Sequence, residues 1–191
     1  MTKVIVFGGT GGIGSCLIEQ LNAEGFNVVS IARNSLNFLS IDYDNLLTSY
    51  LANIKPDWIF NCAGLFSLTS SEYRDIFDVN FGSNLSLVNY YLNNNHAQVK
   101  LIMLGSSAHN SGRKKYMAYS ASKAAVHNLW LSARDAFQNT NIKVGIAHFG
   151  PVSTGMIHST SKSTAMDPTY VADHLIRFCK NMNSSKLIQI I

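Results

Sequence analysis

A doubly wound parallel α/β sheet is the fold this chain predicts, on three observations. Short apolar runs alternate with longer stretches of helical period along the whole sequence. The first run, Lys3-Val4-Ile5-Val6-Phe7, leads into a glycine loop and then a helix-like stretch. A later run, Leu101-Ile102-Met103-Leu104, stops at Gly105-Ser106-Ser107, as a buried strand does when it delivers a hydroxyl at its C-terminal end. About seven strands are expected, near 3–7, 27–31, 37–41, 57–61, 99–104, 142–148 and 186–191. Helices are expected near 12–23, 44–53, 71–95, 117–137 and 168–181. With 191 residues and 47% apolar content, the chain fits a single domain over 1–191 with a substantial core and no room for a second lobe. Strand order should break between the first strand and the one near 57–61, which puts a ligand at that edge.

The first loop, Gly8-Gly9-Thr10-Gly11-Gly12-Ile13-Gly14, stands between a strand and a helix whose buried stripe is Ile13, Leu17 and Leu21. Strand, tight loop and helix start in that order make a pyrophosphate cradle, because bare backbone amides and the helix dipole converge on an anion. The glycines at 8, 12 and 14 fit G-x-x-x-G-x-G, those at 8, 11 and 14 fit G-x-x-G-x-x-G, and those at 9, 11 and 14 fit G-x-G-x-x-G.

The helix near 117–137 opens on Tyr119, Ser120, Ala121, Ser122 and Lys123, with Ser106 thirteen positions before the tyrosine. A phenol and an ammonium four apart leave the same helix face, so the lysine charge can sit beside the phenol oxygen. Bringing a tyrosine from its usual pKa near ~10 to neutrality takes about three units, roughly 4 kcal/mol, and one close ammonium in a shielded site is of that order. Such a tyrosine can trade a proton with an alcohol or carbonyl oxygen. Alone, the Tyr-x-x-x-Lys spacing is usually a surface pair; here the apolar residues Ala124, Ala125, Val126, Leu129, Trp130 and Leu131, whose small members allow close packing, and the strand ending at Ser106 set it in a packed site.

These residues resemble the short-chain dehydrogenase/reductase family in its single-domain, Rossmann-like form. Phe7 to Gly14 resembles the T-G-x-x-x-G-x-G loop, with phenylalanine for threonine. Asn61-Cys62-Ala63-Gly64 resembles N-N-A-G, and Asn80 falls where the family keeps a helix asparagine. Ser106, Tyr119 and Lys123 occupy the S…Y-x-x-x-K positions, and Phe149-Gly150-Pro151-Val152-Ser153-Thr154 resembles P-G-x-V-x-T with phenylalanine for the first proline.

The resemblance implies an NAD(P)-dependent enzyme that interconverts a small-molecule carbonyl and alcohol by hydride transfer. Tyr119 is then acid and base, Ser106 binds the substrate oxygen, Lys123 lowers the tyrosine pKa and holds the ribose, and Asn80 holds a water behind Lys123. The cofactor set it implies is Gly8, Thr10, Gly12, Ile13, Gly14, Arg33, Asp42, Asn61, Ala63, Gly64, Tyr119, Lys123, Val152 and Thr154. Asp42 resembles the residue that receives the adenine amino group, and it also suits the N-cap of the helix that follows. Enzymes that prefer NAD place an acid at the end of the second strand; here Ala32 stands there and Arg33 follows, so NADP(H) is preferred, with NAD(H) possible. The alternative is a non-catalytic NAD(P)-binding sensor or interaction protein on the same fold, which has no reason to keep Ser106, Tyr119 and Lys123 together.

A net charge of +4 could suggest nucleic acid, yet the only basic run, Arg113-Lys114-Lys115, has no aromatic platform, so no nucleic acid is expected. Without an apolar run of membrane-span length or a leader, the expectation is a cytoplasmic protein away from membranes. Cys16, Cys62 and Cys179 read as reduced core thiols. The six histidines show no ligand spacing, and no metal is expected. Phe66, His109, Tyr116, Phe149 and Met156 are pocket-lining candidates that could equally be core or lid. The segment 155–167 is expected to form a short substrate lid. An apolar C-terminal strand at the sheet edge, with two apolar helices, predicts a homodimer or homotetramer.

Overall fold

The computed structural model describes residues 1–68, 72–94, 97–156 and 165–190. Six strands, all parallel, form one sheet: β1 (Lys3–Phe7), β2 (Asn27–Ile31), β3 (Trp58–Asn61), β4 (Val99–Leu104), β5 (Ile142–Phe149) and β6 (Lys186–Ile190). Their order is β2-β1-β3-β4-β5-β6, so the expected break between β1 and β3 is present and β6 lies at an edge. The helices are α1 (Gly12–Ala23), α2 (Tyr43–Ile54), α3 (Tyr73–Phe77), α4 (Ser83–Asn93), α5 (Met117–Ala136) and α6 (Pro168–Lys180).

Both faces of the sheet are covered, which explains why its strands read as continuous apolar runs. Side chains alternate between the layers with the period of two that a strand imposes. Val4 and Val6 pack into one core with Leu17 and Leu21 of α1 and Val171 and Leu175 of α6. Ile5 and Phe7 face the other core, with Leu47 of α2, Leu87 of α4 and Val126 and Trp130 of α5. Among the described residues no helix is long and apolar enough to cross a membrane.

Two elements differ from expectation. No strand forms over 37–41, because polar side chains capture the backbone that a ladder needs: Asn37 Oδ1 accepts from Leu39 N–H at 3.2 Å, and Ser40 Oγ accepts from Asp42 N–H at 3.3 Å. Of this stretch only Phe38 packs against the core, after the buried Leu36 that precedes it, while Ile41 is fully exposed. The helix expected over 71–95 is interrupted: α3 runs through a π-helical turn, Asp78–Gly82, into α4. Residues 71 and 95 lie outside the described set, as do 157–164 of the expected lid and Ile191. The base of that segment is pinned, with Met166 N–H donating to Pro151 O at 2.8 Å and Ser153 N–H to Met166 O at 2.8 Å.

Candidate functional site

The glycine loop crosses the C-terminal edge of the sheet under steric constraints that only bare backbone meets. Gly8 has φ +71, and a Cβ there would lie 2.8 Å from the backbone nitrogen of Ala63, so the loop rests directly on the end of β3. A Cβ on Gly14 would lie 2.3 Å from the Gly8 carbonyl oxygen, which brings the start of α1 hard against the loop. The N-cap residue Gly11 supplies no side-chain cap, so the first amides of α1 and its dipole face the adjoining cleft of about 680 Å³. That combination fits a dinucleotide pyrophosphate.

Of the expected cofactor residues, Gly8, Thr10, Gly12, Ile13, Gly14, Arg33, Ala63, Gly64 and Thr154 line this cleft. Arg33 is exposed at its wall. Others stand back from the lining. Asp42 is the exposed N-cap of α2, without a side-chain cap bond. Asn61 is a buried brace: its amide donates to Ser83 Oγ at 2.9 Å and Asn84 Oδ1 at 3.0 Å, fastening α4 to β3. Val152 is buried and bridged to Met166. Glu72 and Asp75, which sequence reasoning missed, also line the cleft. Their carboxylates oppose an anionic ligand at that rim.

Past this lining, the end of β4 and the first turns of α5 bring Ser106, Tyr119 and Lys123 together. The Ser106 hydroxyl accepts from Ala108 N–H at 3.1 Å and lies close enough to the Tyr119 phenol to act on its acidity. Phe66 and Tyr116 hold the tyrosine ring, with centroids 5.0 and 6.0 Å away. Lys123 is buried, with Nζ 5.7 Å from the centre of the Tyr119 ring and donating to Leu104 O at 2.9 Å. Its charge also acts on the thiol of Cys62, a residue that lines the cleft.

The electrostatics run against the expected acidic phenol. Burial raises the Tyr119 pKa, opposed by the Ser106 hydroxyl and reinforced by Tyr116. The lysine does not offset this, because its ammonium is turned to the Leu104 carbonyl. Burial lowers Lys123 itself to about 8. The phenol is therefore held as the neutral acid.

Asn80 sits in the π-helical turn, fully buried. Its Oδ1 accepts from Leu65 N–H at 2.8 Å, and its Nδ2 donates to Leu65 O at 3.0 Å and Ser122 Oγ at 2.9 Å. Its backbone carbonyl accepts from Asn84 at 2.7 Å. It braces the lysine's neighbour and makes no direct bond to Lys123, and the turn is the local rewinding that lets it reach both.

Among the pocket candidates, Met156 lines the cleft and Phe149 is core. His109 instead stacks on His148, with ring centroids 3.8 Å apart and planes at 17°. His127 joins them, its Nδ1 2.9 Å from His148 Nε2. Burial pushes His148 down to about 4, with the neighbouring imidazoles adding to the effect. Sequence reasoning missed this cluster, although one signal was present: Tyr119, Lys123 and His127 recur every four residues on one helix face.

A family model described as short chain dehydrogenase matches residues 44–165. The chain is 25% identical, over 98% of its length, to the bifunctional ribulose 5-phosphate reductase/CDP-ribitol pyrophosphorylase Bcs1 of Haemophilus influenzae, and it spans 43% of that relative's length. In structure it is similar to the 3-alpha-hydroxysteroid dehydrogenase from Pseudomonas sp. B-0831 complexed with NADH, with a TM-score of 0.83 and 16% identity over 99% of this chain and 95% of that one. It is likewise similar to a short chain dehydrogenase from Burkholderia cenocepacia in complex with NADP, with a TM-score of 0.80 and 17% identity over 100% of this chain and 88% of that one. At such identities these likenesses speak for the fold.

Proposed function

This chain belongs to the short-chain dehydrogenase family, and on that premise we propose that it is a nicotinamide-dependent oxidoreductase interconverting a carbonyl and an alcohol, with Tyr119 as acid and base. The observation that carries this reading is the meeting of Ser106, whose hydroxyl acts on the Tyr119 phenol, with Tyr119 and buried Lys123, next to a cleft built for an anionic dinucleotide. When bound, the nicotinamide supplies hydride in reduction and takes it in oxidation. The neutral phenol of Tyr119 hands its proton to the carbonyl oxygen. Ser106, fixed by its Ala108 contact, steadies that oxygen as charge develops. Lys123, its ammonium held on the Leu104 carbonyl, would hold the nicotinamide ribose, and Asn80 positions the helix turn that carries it. Titration of NADPH and NADH into the purified chain tests the premise, with one equivalent bound per chain expected and no binding of either contradicting it.

The lysine sets a pH dependence. Its charge is present below about 8 and lost as pH rises through that value, well before the ordinary 10.5. The tyrosine, raised by burial, keeps its proton over that range. We therefore expect kcat/KM for carbonyl reduction to fall above pH about 8, by about tenfold per unit once the lysine is neutral. A profile flat to the ordinary lysine pKa counts against the role of Lys123.

NADP(H) is the preferred cofactor in this reading, because Arg33 lines the cleft and Ala32 stands where enzymes that prefer NAD place an acid. Arg33→Ala is expected to weaken NADPH binding at least about tenfold, or about 1.4 kcal/mol, and to leave NADH nearly unchanged. Ala32→Asp should move preference towards NADH. Equal affinities in the unmodified protein reduce Arg33 to a surface residue.

For the substrate, a second reading has its own observation. Arg113, Lys114 and Lys115 are exposed on the segment leading into α5, beside Tyr116, so a phosphorylated ketone such as the ribulose 5-phosphate named for the Haemophilus influenzae relative competes with a plain apolar carbonyl compound.

A further inference from the structure

The three histidines behind Ser106 take no part in the chemistry above. They come from separate elements: His109 from the 3₁₀ turn Ser107–Asn110, His127 from α5 and His148 from β5. One nitrogen of each lies within 4.8 Å of the other two. We propose that His109, His127 and His148 form a binding site for a divalent zinc-like cation, with a fourth position left open.

Three features argue for a built site. First, the rings are oriented from behind. His109 Nδ1 donates to Ser106 O at 2.7 Å, and His148 Nδ1 lies 3.2 Å from the same carbonyl. A backbone carbonyl on one ring nitrogen fixes the tautomer that leaves the other as a lone pair, and it is the support that metal-bound histidines ordinarily receive. Second, the spacing is close to that of a coordination shell. Zinc bonds of ~2.0–2.1 Å put tetrahedral ligand atoms roughly 3.4 Å apart. His127 Nδ1 and His148 Nε2, now hydrogen-bonded at 2.9 Å, need to open slightly, and the His109 ring, now stacked on His148 at 17°, has to tilt as its nitrogen draws in by about an ångström. Third, the chain makes room for the central ring: a Cβ on Gly105 would lie 2.3 Å from His148 Nδ1, so only glycine admits it.

His148 is buried, whereas His109 and His127 are partly exposed, giving an ion a way in from solvent. Three imidazoles and no carboxylate suit a borderline cation rather than calcium or magnesium. His148 Nδ1 also lies 3.2 Å from Ser106 N–H, an alternative wiring in which that nitrogen accepts. A bound ion selects the other wiring, with Nδ1 donating to the carbonyl and Nε2 on the metal.

Isothermal titration of ZnCl₂ into the full chain, free of any affinity tag and washed with chelator, tests the site without reference to turnover. One saturable equivalent is expected, together with a zinc-dependent rise in Tm. His109→Ala and His127→Ala are each expected to weaken zinc at least about tenfold. Co²⁺ substitution should give the strong visible absorption of a tetrahedral nitrogen site, which decides the matter in the unmodified chain should either variant fail to fold. No saturable zinc site, full affinity in either folded variant, or only weak octahedral cobalt absorption overturns the proposal.

Discussion

Tyr119→Phe is expected to lose about 10² to 10⁴ in turnover, the usual contribution of a positioned acid. The ring itself should stay, because Phe66 and Tyr116 hold it through aromatic contacts that phenylalanine keeps. Only the hydroxyl, on which Ser106 acts, is removed. Dinucleotide affinity should therefore remain within a few fold, since the glycine loop and Arg33 are untouched. Steady-state rates beside a cofactor titration read the two effects separately. A variant that turns over near the rate of the unmodified protein ends the assignment of Tyr119 as acid.

Gly14→Ala is expected to act through the fold of the cofactor loop. The added methyl would meet the Gly8 carbonyl oxygen at 2.3 Å, with the Gly8 carbonyl carbon and Gly9 Cα at 3.0 Å. All three are backbone atoms, so no side chain can swing aside. Relief requires α1 to slide from the loop, and α1 packs on α6 through the core of Leu17, Leu21, Val171 and Leu175. Overpacking of this kind costs about 1–3 kcal/mol, and a clash with backbone belongs at the top of that range. The expected result is a clearly lower Tm together with dinucleotide binding weakened by tenfold or more. A variant with unchanged Tm and affinity would show that the loop is looser than this geometry.

What could be read in the sequence is what local chemistry decides. The order of β1, loop and α1 follows from glycine tolerance and helical period, and the meeting of Tyr119 and Lys123 follows from a spacing of four on a helix. The strand over 37–41 misled because its apolar residues suit a ladder, while the nearby Asn37 and Ser40 side chains take the amides in turns. The π-helical turn that lets Asn80 reach both Leu65 and Ser122 leaves no spacing signal. The raised phenol pKa was hidden for a related reason: spacing brings Lys123 to Tyr119, but only the packed structure turns its ammonium to Leu104. The histidine cluster joins residues up to 39 positions apart, His109 to His148, and depends on β4 and β5 being neighbours. Such contacts belong to topology.

Hydride transfer is the measurement that bears most directly on the central claim. NADPH and NADH oxidation should be followed across a panel of apolar ketones, aldehydes and phosphorylated ketones including ribulose 5-phosphate, with NADP⁺ and NAD⁺ reduction followed on the matching alcohols and Tyr119→Phe as the blank. The account predicts cofactor oxidation with at least one carbonyl, faster with NADPH than with NADH and absent in the blank. Dinucleotide binding with no transfer to or from any member of the panel, or transfer undiminished in the blank, contradicts it.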